Sequence, residues 1–478
     1  MKSSSSEGLM HRISVLLGLV DIFPESMVGP VGSLLTYSRL LPADIQAGFQ
    51  GLFVPRAGKA SALFIKMIAR WILQAKRASR NGKKVILVPF NFPVELIHAF
   101  DTAVPLTSEV LSTVGVIALR GQGERYWDMA MALGLPDHIC SANAVELGSM
   151  LGSEDFQPQA IISSAAGGCD ANAKLHEFVA NYLEIPLVIL PKPPDDSGRG
   201  RAQYGIYMRN LVSRLEDLLG EKLKEDRLRA VMEKANRCTE LYHDLMDLRK
   251  AVPCPVPNIF SLFTYATRLS AWGTEDAITT LRSMVEVSKE RLAKKAYPAE
   301  KEIARCIWVY TSYYYDLAGY FNWMEERGYS HLGDALMFCF PQLIDTSSMA
   351  SMLEGYSDAA WGMPMTRQMG AESMSRAWIE DIVWAARELK ADCAIFCGHH
   401  SCKQTWSVVS ILRRELLKQM GIPLLVLQGD SWIKRMTPMS TIQQEIDEFI
   451  KNVVASKSAP RRKLKKGRRK QLDKPIAS

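Results

Sequence analysis

A chain of 478 residues with 47% hydrophobic and 23% charged residues has the make-up of a soluble globular protein, long enough for two or three domains that each bury a full core. Its net charge of +7 is misleading, because Lys457–Lys474 carries ten basic residues against one acid and leaves the remainder at −2. The basic balance belongs to a tail, which reads as a solvated disordered end rather than a nucleic-acid surface.

Residues 1–80 read as an arm with a helix. The Gly/Pro-punctuated stretch to Pro55 is irregular, and Ala57–Arg80 has helical periodicity. The apolar run Ile13–Val20 is too short to cross a bilayer and lacks the flanks of a secretory signal, so a cytoplasmic protein without membrane contact is expected. Residues 81–199 read as an α/β domain. Lys83–Pro93 is a strand running into a Pro-containing turn and a helix Val94–Phe100, and Val114–Leu119 is a second short strand. Cys140 lies in a loop whose Ser141 is placed to cap the next helix. Gln159–Pro191 then reads strand, small-residue loop with Cys169, helix, and an Ile-Pro-Leu-Val strand.

A Pro/Gly/Asp-rich linker, PKPPDDSGRGRAQ, leads into residues 200–300, a helical module broken at Pro253–Pro257. Residues 301–455 form a second α/β domain, opening on a strand Ala304–Thr311 and a helix Ala318–Arg327. A long amphipathic helix, Thr366–Leu389, precedes Ala391–Asp430, which repeats the earlier design: strand, polar loop with Cys397, His399, His400 and Cys402, helix, strand. A last helix, Thr441–Ala455, has Ser440 as its expected cap, and residues 456–478 are the basic tail. The match of IPLVIL (Ile185–Leu190) to IPLLVL (Ile422–Leu427) supports two copies of one βαβ unit. The expected fold class is therefore α/β: two Rossmann/flavodoxin-like parallel-sheet domains with a helical module between them.

Both copies put a cysteine in the loop that opens a helix, where the helix dipole is expected to lower the thiol pKa. Two such thiols, facing each other from two half-molecules, are a start for an anionic metal cluster. Nine cysteines spread over a long chain argue for reduced thiols or metal ligands rather than disulfides. Cys238, Cys306 and Cys393 fall inside a helix or apolar strands and read as core residues, while Cys254 and Cys339 have no evident partner. Cys397 and Cys402 with the intervening histidines suggest a zinc pair, but zinc wants a second close pair and none is visible.

These residues carry a resemblance. FPVEL (Phe92–Leu96), DHICSAN (Asp137–Asn143), GCDANAK (Gly168–Lys174), ANRCTELYHDLMDLRK (Ala235–Lys250) and HHSCK (His399–Lys403) with GIPLLVLQGD stand in the order of motifs in the 2-hydroxyacyl-CoA dehydratase family, which also holds the benzoyl-CoA reductase subunits. The resemblance runs from about Lys83 to Ile450. It implies a 4Fe–4S cluster held by Cys140, Cys169 and Cys402, with the fourth iron open to a non-cysteine ligand or the substrate carbonyl. It also implies an acyl-CoA substrate, an ATP-dependent activator protein as electron donor, and a homologous second subunit in a heterodimer. The implied chemistry is water elimination from a 2-hydroxyacyl-CoA through a ketyl radical. Glu95 matches the family's Glu after the Pro turn and is the candidate contact to the substrate hydroxyl or for proton handling; read from its position alone, it is an exposed first-turn acid favoured by the dipole.

By the same resemblance His399 is placed to hydrogen-bond a cluster sulfur, and Asp430 and Arg435 match a structural Gly-Asp and a following Arg. The chain departs from the family at Val94, where some members carry cysteine, at Ile433, where an acid is usual, and at Tyr310–Asp316. There aromatics replace a Gly-containing loop and are expected to narrow or reshape the pocket. Three readings stay open: a dehydratase subunit, a CoA-thioester or benzoyl-CoA-type reductase subunit on the same scaffold, and a non-catalytic partner with its pocket filled by Tyr310–Tyr315.

Overall fold

A computed structural model describes residues 17, 18, 20–22, 52, 55–113, 123–151, 157–164, 169–194, 197–297, 301–316, 318–338, 341–364, 366, 367 and 373–455. The arm, the strand expected at 114–119, the tail and Cys339 lie largely or wholly outside these residues.

The apolar runs become two parallel four-stranded sheets. In chain order the first half comprises α1 (Lys59–Arg77), β1 (Lys84–Val88), α2 (Glu95–His98), β2 (Ala103–Thr107), α3 (Gly123–Ala132), α4 (Ser141–Leu151), β3 (Ala160–Ser163), α5 (Asp170–Leu183) and β4 (Leu187–Ile189). The module is α6 (Gly198–Leu219), α7 (Glu225–Arg249), α8 (Phe260–Ser270) and α9 (Glu275–Lys294). The second half holds β5 (Ala304–Trp308), α10 (Ala318–Glu326), β6 (Tyr329–Asp334), α11 (Met349–Trp361), α12 (Ser373–Glu388), β7 (Cys393–Phe396), α13 (Lys403–Met420), β8 (Leu424–Val426) and α14 (Met439–Phe449).

Strand orders are β2-β1-β3-β4 and β6-β5-β7-β8, with every pairing parallel. This 2-1-3-4 order is the doubly wound one, in which ligands meet the carboxyl ends of the strands where the order reverses. Those reversals fall between β1 and β3 and between β5 and β7. The loops after β3 and β7 carry Cys169 and Cys402. Apart from the exposed Lys84 that opens β1, the central strands are buried and apolar except for Arg305 and Ser163, as sheets covered on both faces require.

Several local expectations change. β2, AVPLT, and β6, YSHLGD, are strands the sequence pattern did not disclose. Each is the edge of its sheet, so Pro105 costs no ladder bond on its open side, and polar residues can end β6. The linker after Pro191 is short, since GRGRAQ already belongs to α6, capped by the Ser197 side chain on the amides of Arg199 and Gly200. Helix α12 begins by Ser373, and Thr366 and Arg367 form a turn. Ser440 lies inside α14, whose cap position is Pro438.

The module is not peripheral. All eleven residues of α8 are buried, and the helix is wedged between the edge strands of both sheets. Its Ser261 bonds His331 (2.9 Å), Tyr265 stacks on Tyr314 (5.5 Å between ring centroids), Arg268 pairs with Glu95 (3.0 Å) and Leu269 O accepts from Thr107. Phe263 stacks on Phe64 of α1 at 4.0 Å, a contact of about 1 kcal/mol beyond its area. Arg305 pins the module to the second sheet. Its buried guanidinium donates to the carbonyls of Arg249 and Ala251 at the end of α7 and of Leu389 at the end of α12, satisfying acceptors that helix termini leave open.

Candidate metal centre

Three cysteines separated widely in the chain sit at the openings of three helices. Cys140 precedes α4, Cys169 is the N-cap residue of α5 with extended φ −144°, and Cys402 occupies the same position before α13. Cys169 and Cys402 follow β3 and β7, so the two sheets bring them in from corresponding places. Cys140 comes from an extra loop in the first half. Close packing sets that loop, because a side chain at Gly148 of α4 would run into the Tyr126 backbone of α3.

The three thiols lie within electrostatic reach of one another. Burial pushes the Cys140 thiol up, and the charge on Cys169, then those on Cys402 and Asp430, push it further. Cys169 is raised to about 12, first by burial and then by Cys402, with Glu109 adding to it. The Tyr310 hydroxyl is raised by burial and by Cys402, Cys140 and Cys169 together, and it accepts from the Cys402 Sγ at 3.5 Å. The expectation of a thiol lowered by a helix N-terminus is overturned for Cys169, where desolvation and the neighbouring charges outweigh the dipole, and Cys140 is raised in the same way. Such a set holds thiolates only when a cation shares their charge, and binding it releases their protons.

Among the described residues no group of three His, Cys, Asp or Glu could hold a metal ion. Cys397 is a core residue, bonded to Thr311 (3.1 Å) and Ser431 (3.5 Å) and pushed to about 11 by burial. Three thiols within electrostatic reach, with no tight ion cage, suit a cluster, whose ligands stand further apart than those of one ion. Cys238, Cys254, Cys306 and Cys393 are buried, the last two 3.6 Å apart on paired strands.

A polar frame ties the loops across the two halves. His399, wholly buried, brings its Nε2 to 3.4 Å from the Cys140 Sγ and its Nδ1 to 3.1 Å from Asp430. Asp430 also accepts from the Ser141 hydroxyl (2.7 Å) and from the amides of Trp432 and Ile433. Burial pushes its carboxyl up, but His399, Ser141 and the Trp432 amide together hold it below its ordinary value. The Ser141 hydroxyl is thus spent on Asp430. The backbone permits this because Gly398 has φ +67°, and a side chain there would meet the Leu427 carbonyl. Arg435 reaches Asp128 of the other half at 2.5 Å, an exposed pair.

Glu95 is not an exposed first-turn acid. It is 2% exposed, paired with Arg268, and its second carboxylate oxygen has no hydrogen-bond partner among the described residues. Two further buried acids escaped the sequence pattern. Glu109, after β2, is raised to about 8 by burial and by Glu146; Asp334, at the end of β6, is raised to about 7, chiefly by burial. Both lie beside Tyr265, whose hydroxyl feels Glu109, Asp334 and Cys140. The only hint was an acid just past a strand end, and those two strands were themselves hidden.

Comparison with known proteins now bears on this arrangement. Residues 89–453 match the family model described as 2-hydroxyglutaryl-CoA dehydratase, D-component. The (R)-phenyllactyl-CoA dehydratase alpha subunit of Clostridium sporogenes is 21% identical over 396 residues, 80% of this chain and 93% of that protein. The (R)-2-hydroxyglutaryl-CoA dehydratase subunit alpha of Acidaminococcus fermentans is 21% identical over 268 residues, 55% of this chain and 54% of that one. No described helix is long and apolar enough to cross a membrane.

Proposed function

The chain belongs to the 2-hydroxyglutaryl-CoA dehydratase D-component family, and on that premise we propose that it is the 4Fe–4S subunit of a 2-hydroxyacyl-CoA dehydratase. Cys140, Cys169 and Cys402 hold the cluster and leave one iron open. The observation that carries this reading is the mutual electrostatic reach of three thiols from three distant helix openings. Bound there, the cluster would supply low-potential one-electron chemistry toward the acyl-CoA thioester, of the kind that lets a 2-hydroxyl leave.

The chain's own residues do the rest. Cys402 is buried and Cys140 and Cys169 are half-buried, and Tyr310 stands against Cys402 at 3.5 Å. Glu95, held by Arg268, presents one unpaired carboxylate oxygen to accept or return a substrate proton. A cytoplasmic setting, an ATP-dependent activator and a homologous second subunit belong to this reading. The naming of both relatives as alpha subunits supports the partner.

Anaerobic purification with iron and acid-labile sulfide analysis tests it. About four iron per chain are expected, with near-complete loss in Cys402→Ala. A wild-type chain without iron leaves only the non-catalytic partner. Activity with activator and strong reductant on a 2-hydroxyacyl-CoA, and none on an enoyl- or aryl-CoA, separates the dehydratase from the reductase.

A further inference from the structure

The contact between His399 and Cys140 has a property that ligand assignment alone does not need: it crosses from one half to the other. His399 belongs to the loop after β7, while Cys140 opens α4 of the first half, and 3.4 Å separates Nε2 from Sγ. The ring has little freedom. It is wholly buried, with Trp432 and Tyr310 against it at 5.2 and 6.4 Å between centroids, and the Trp406 indole donates to its carbonyl. On the far side Nδ1 lies between the Asp430 carboxylate (3.1 Å) and the Ser431 amide (3.4 Å).

We propose that His399, oriented by Asp430, donates its Nε2–H to the Cys140 sulfur and so sets the cluster's reduction potential from the opposite half of the molecule. This rests on the reading of Cys140 as a cluster ligand. An iron-bound thiolate has no proton of its own, so the hydrogen in this contact comes from the ring: a neutral ring carries it on Nε2 when Nδ1 accepts from the Ser431 amide, and a ring whose Nδ1–H donates to Asp430 carries it as imidazolium. A donor aimed at a thiolate stabilises the cluster more after it gains an electron than before, because the added charge spreads onto the sulfurs. His399 is thus a positioning residue that acts through Cys140. Asp430 fixes the ring and, through Ser141, the residue next to that sulfur, as outer partners of metal ligands do.

The test uses the full chain, purified or reconstituted anaerobically, with iron counted and the midpoint potential followed by EPR against dithionite or titanium(III). His399→Leu removes the donor and is expected to make one-electron reduction roughly tenfold less favourable, a fall of about 59 mV. His399→Gln, whose amide nitrogen can take the place of Nε2, is expected to stay within roughly threefold of wild type. Equal potentials in loaded wild type and His399→Leu overturn the proposal while leaving the ligand assignment intact. If His399→Leu loads too little iron to titrate, His399→Gln decides: a loaded cluster at the wild-type potential supports the donor, and an empty or shifted one overturns it. An iron-free wild type overturns the ligand assignment, and this proposal with it.

Discussion

The two halves share one strand order and differ in what they bury around it. Behind Cys169 the first half carries a polar network: Asn172 donates to Glu109 (3.1 Å), and His176 sits 3.3 Å from Glu146, all of them buried. In the second half the space between the sheet and its loops is filled with rings. Trp308 packs against Tyr313, Tyr320 and His331 at 5.3 to 6.0 Å, and Phe321 meets His331 at 5.0 Å. One fold therefore supplies two linings. The backbone delivers thiols to corresponding places, while side chains line one wall with paired polar groups and the other mainly with rings.

The sharpest way to break this comparison is at the cysteines. Cys169→Ala and Cys402→Ala occupy corresponding positions, so each is expected to drop iron from about four per chain to near zero, while Cys397→Ala retains it. Equal loss from Cys397→Ala would undo the assignment. Next come the cores. Arg268→Ala strands a buried Glu95 and is expected to cost about 3–5 kcal/mol in denaturant unfolding. Trp308→Ala leaves a cavity of similar cost, about 3–5 kcal/mol. The linings separate in the repair: Glu95→Met with Arg268→Met should recover most of the first loss, and no single partner change should recover the second.

Two buried acids, one in each half, give a pH-dependent effect. Glu109 and Asp334 hold their protons more tightly folded than unfolded, raised by burial to about 8 and about 7 from 4.5 and 3.8. The stability they contribute is complete below the unfolded values, is lost as pH rises through the folded ones and changes no further above about 8. Unfolding midpoints measured from pH 4 to 9 should thus decline less in Glu109→Gln and in Asp334→Asn than in wild type. Arg435→Ala comes last. Its exposed bond to Asp128 across the halves should be worth less than about 1 kcal/mol and fade in high salt.

Much of the scaffold was readable because it is written in local patterns. β1, β3 and β7 are short apolar runs, and IPLVIL and IPLLVL marked the repeat. The edge strands β2 and β6 were not readable, since an edge tolerates Pro105 and lets His331 and Asp334 stand where a central strand would be apolar. Ser141 and Ser440 misled for a related reason: a cap is inferred from a neighbouring helix, whereas the Ser141 hydroxyl answers to Asp430, 289 residues away. The cysteine loops could be picked out by type and place. Their pairings with His399 and Tyr310, and the desolvation that reverses the thiol shift, arise only when distant segments meet.

Helix α8 has a consequence for dissecting the protein. Its Ser261 and Tyr265 are answered by the second half and its Arg268 by the first, so excising either half would expose or orphan groups that are buried in the intact chain. Fragments divided near residue 300 should be insoluble when made singly. Co-expressed, they should reassemble by complementation, since the α8 contacts to the second half are renewed on assembly.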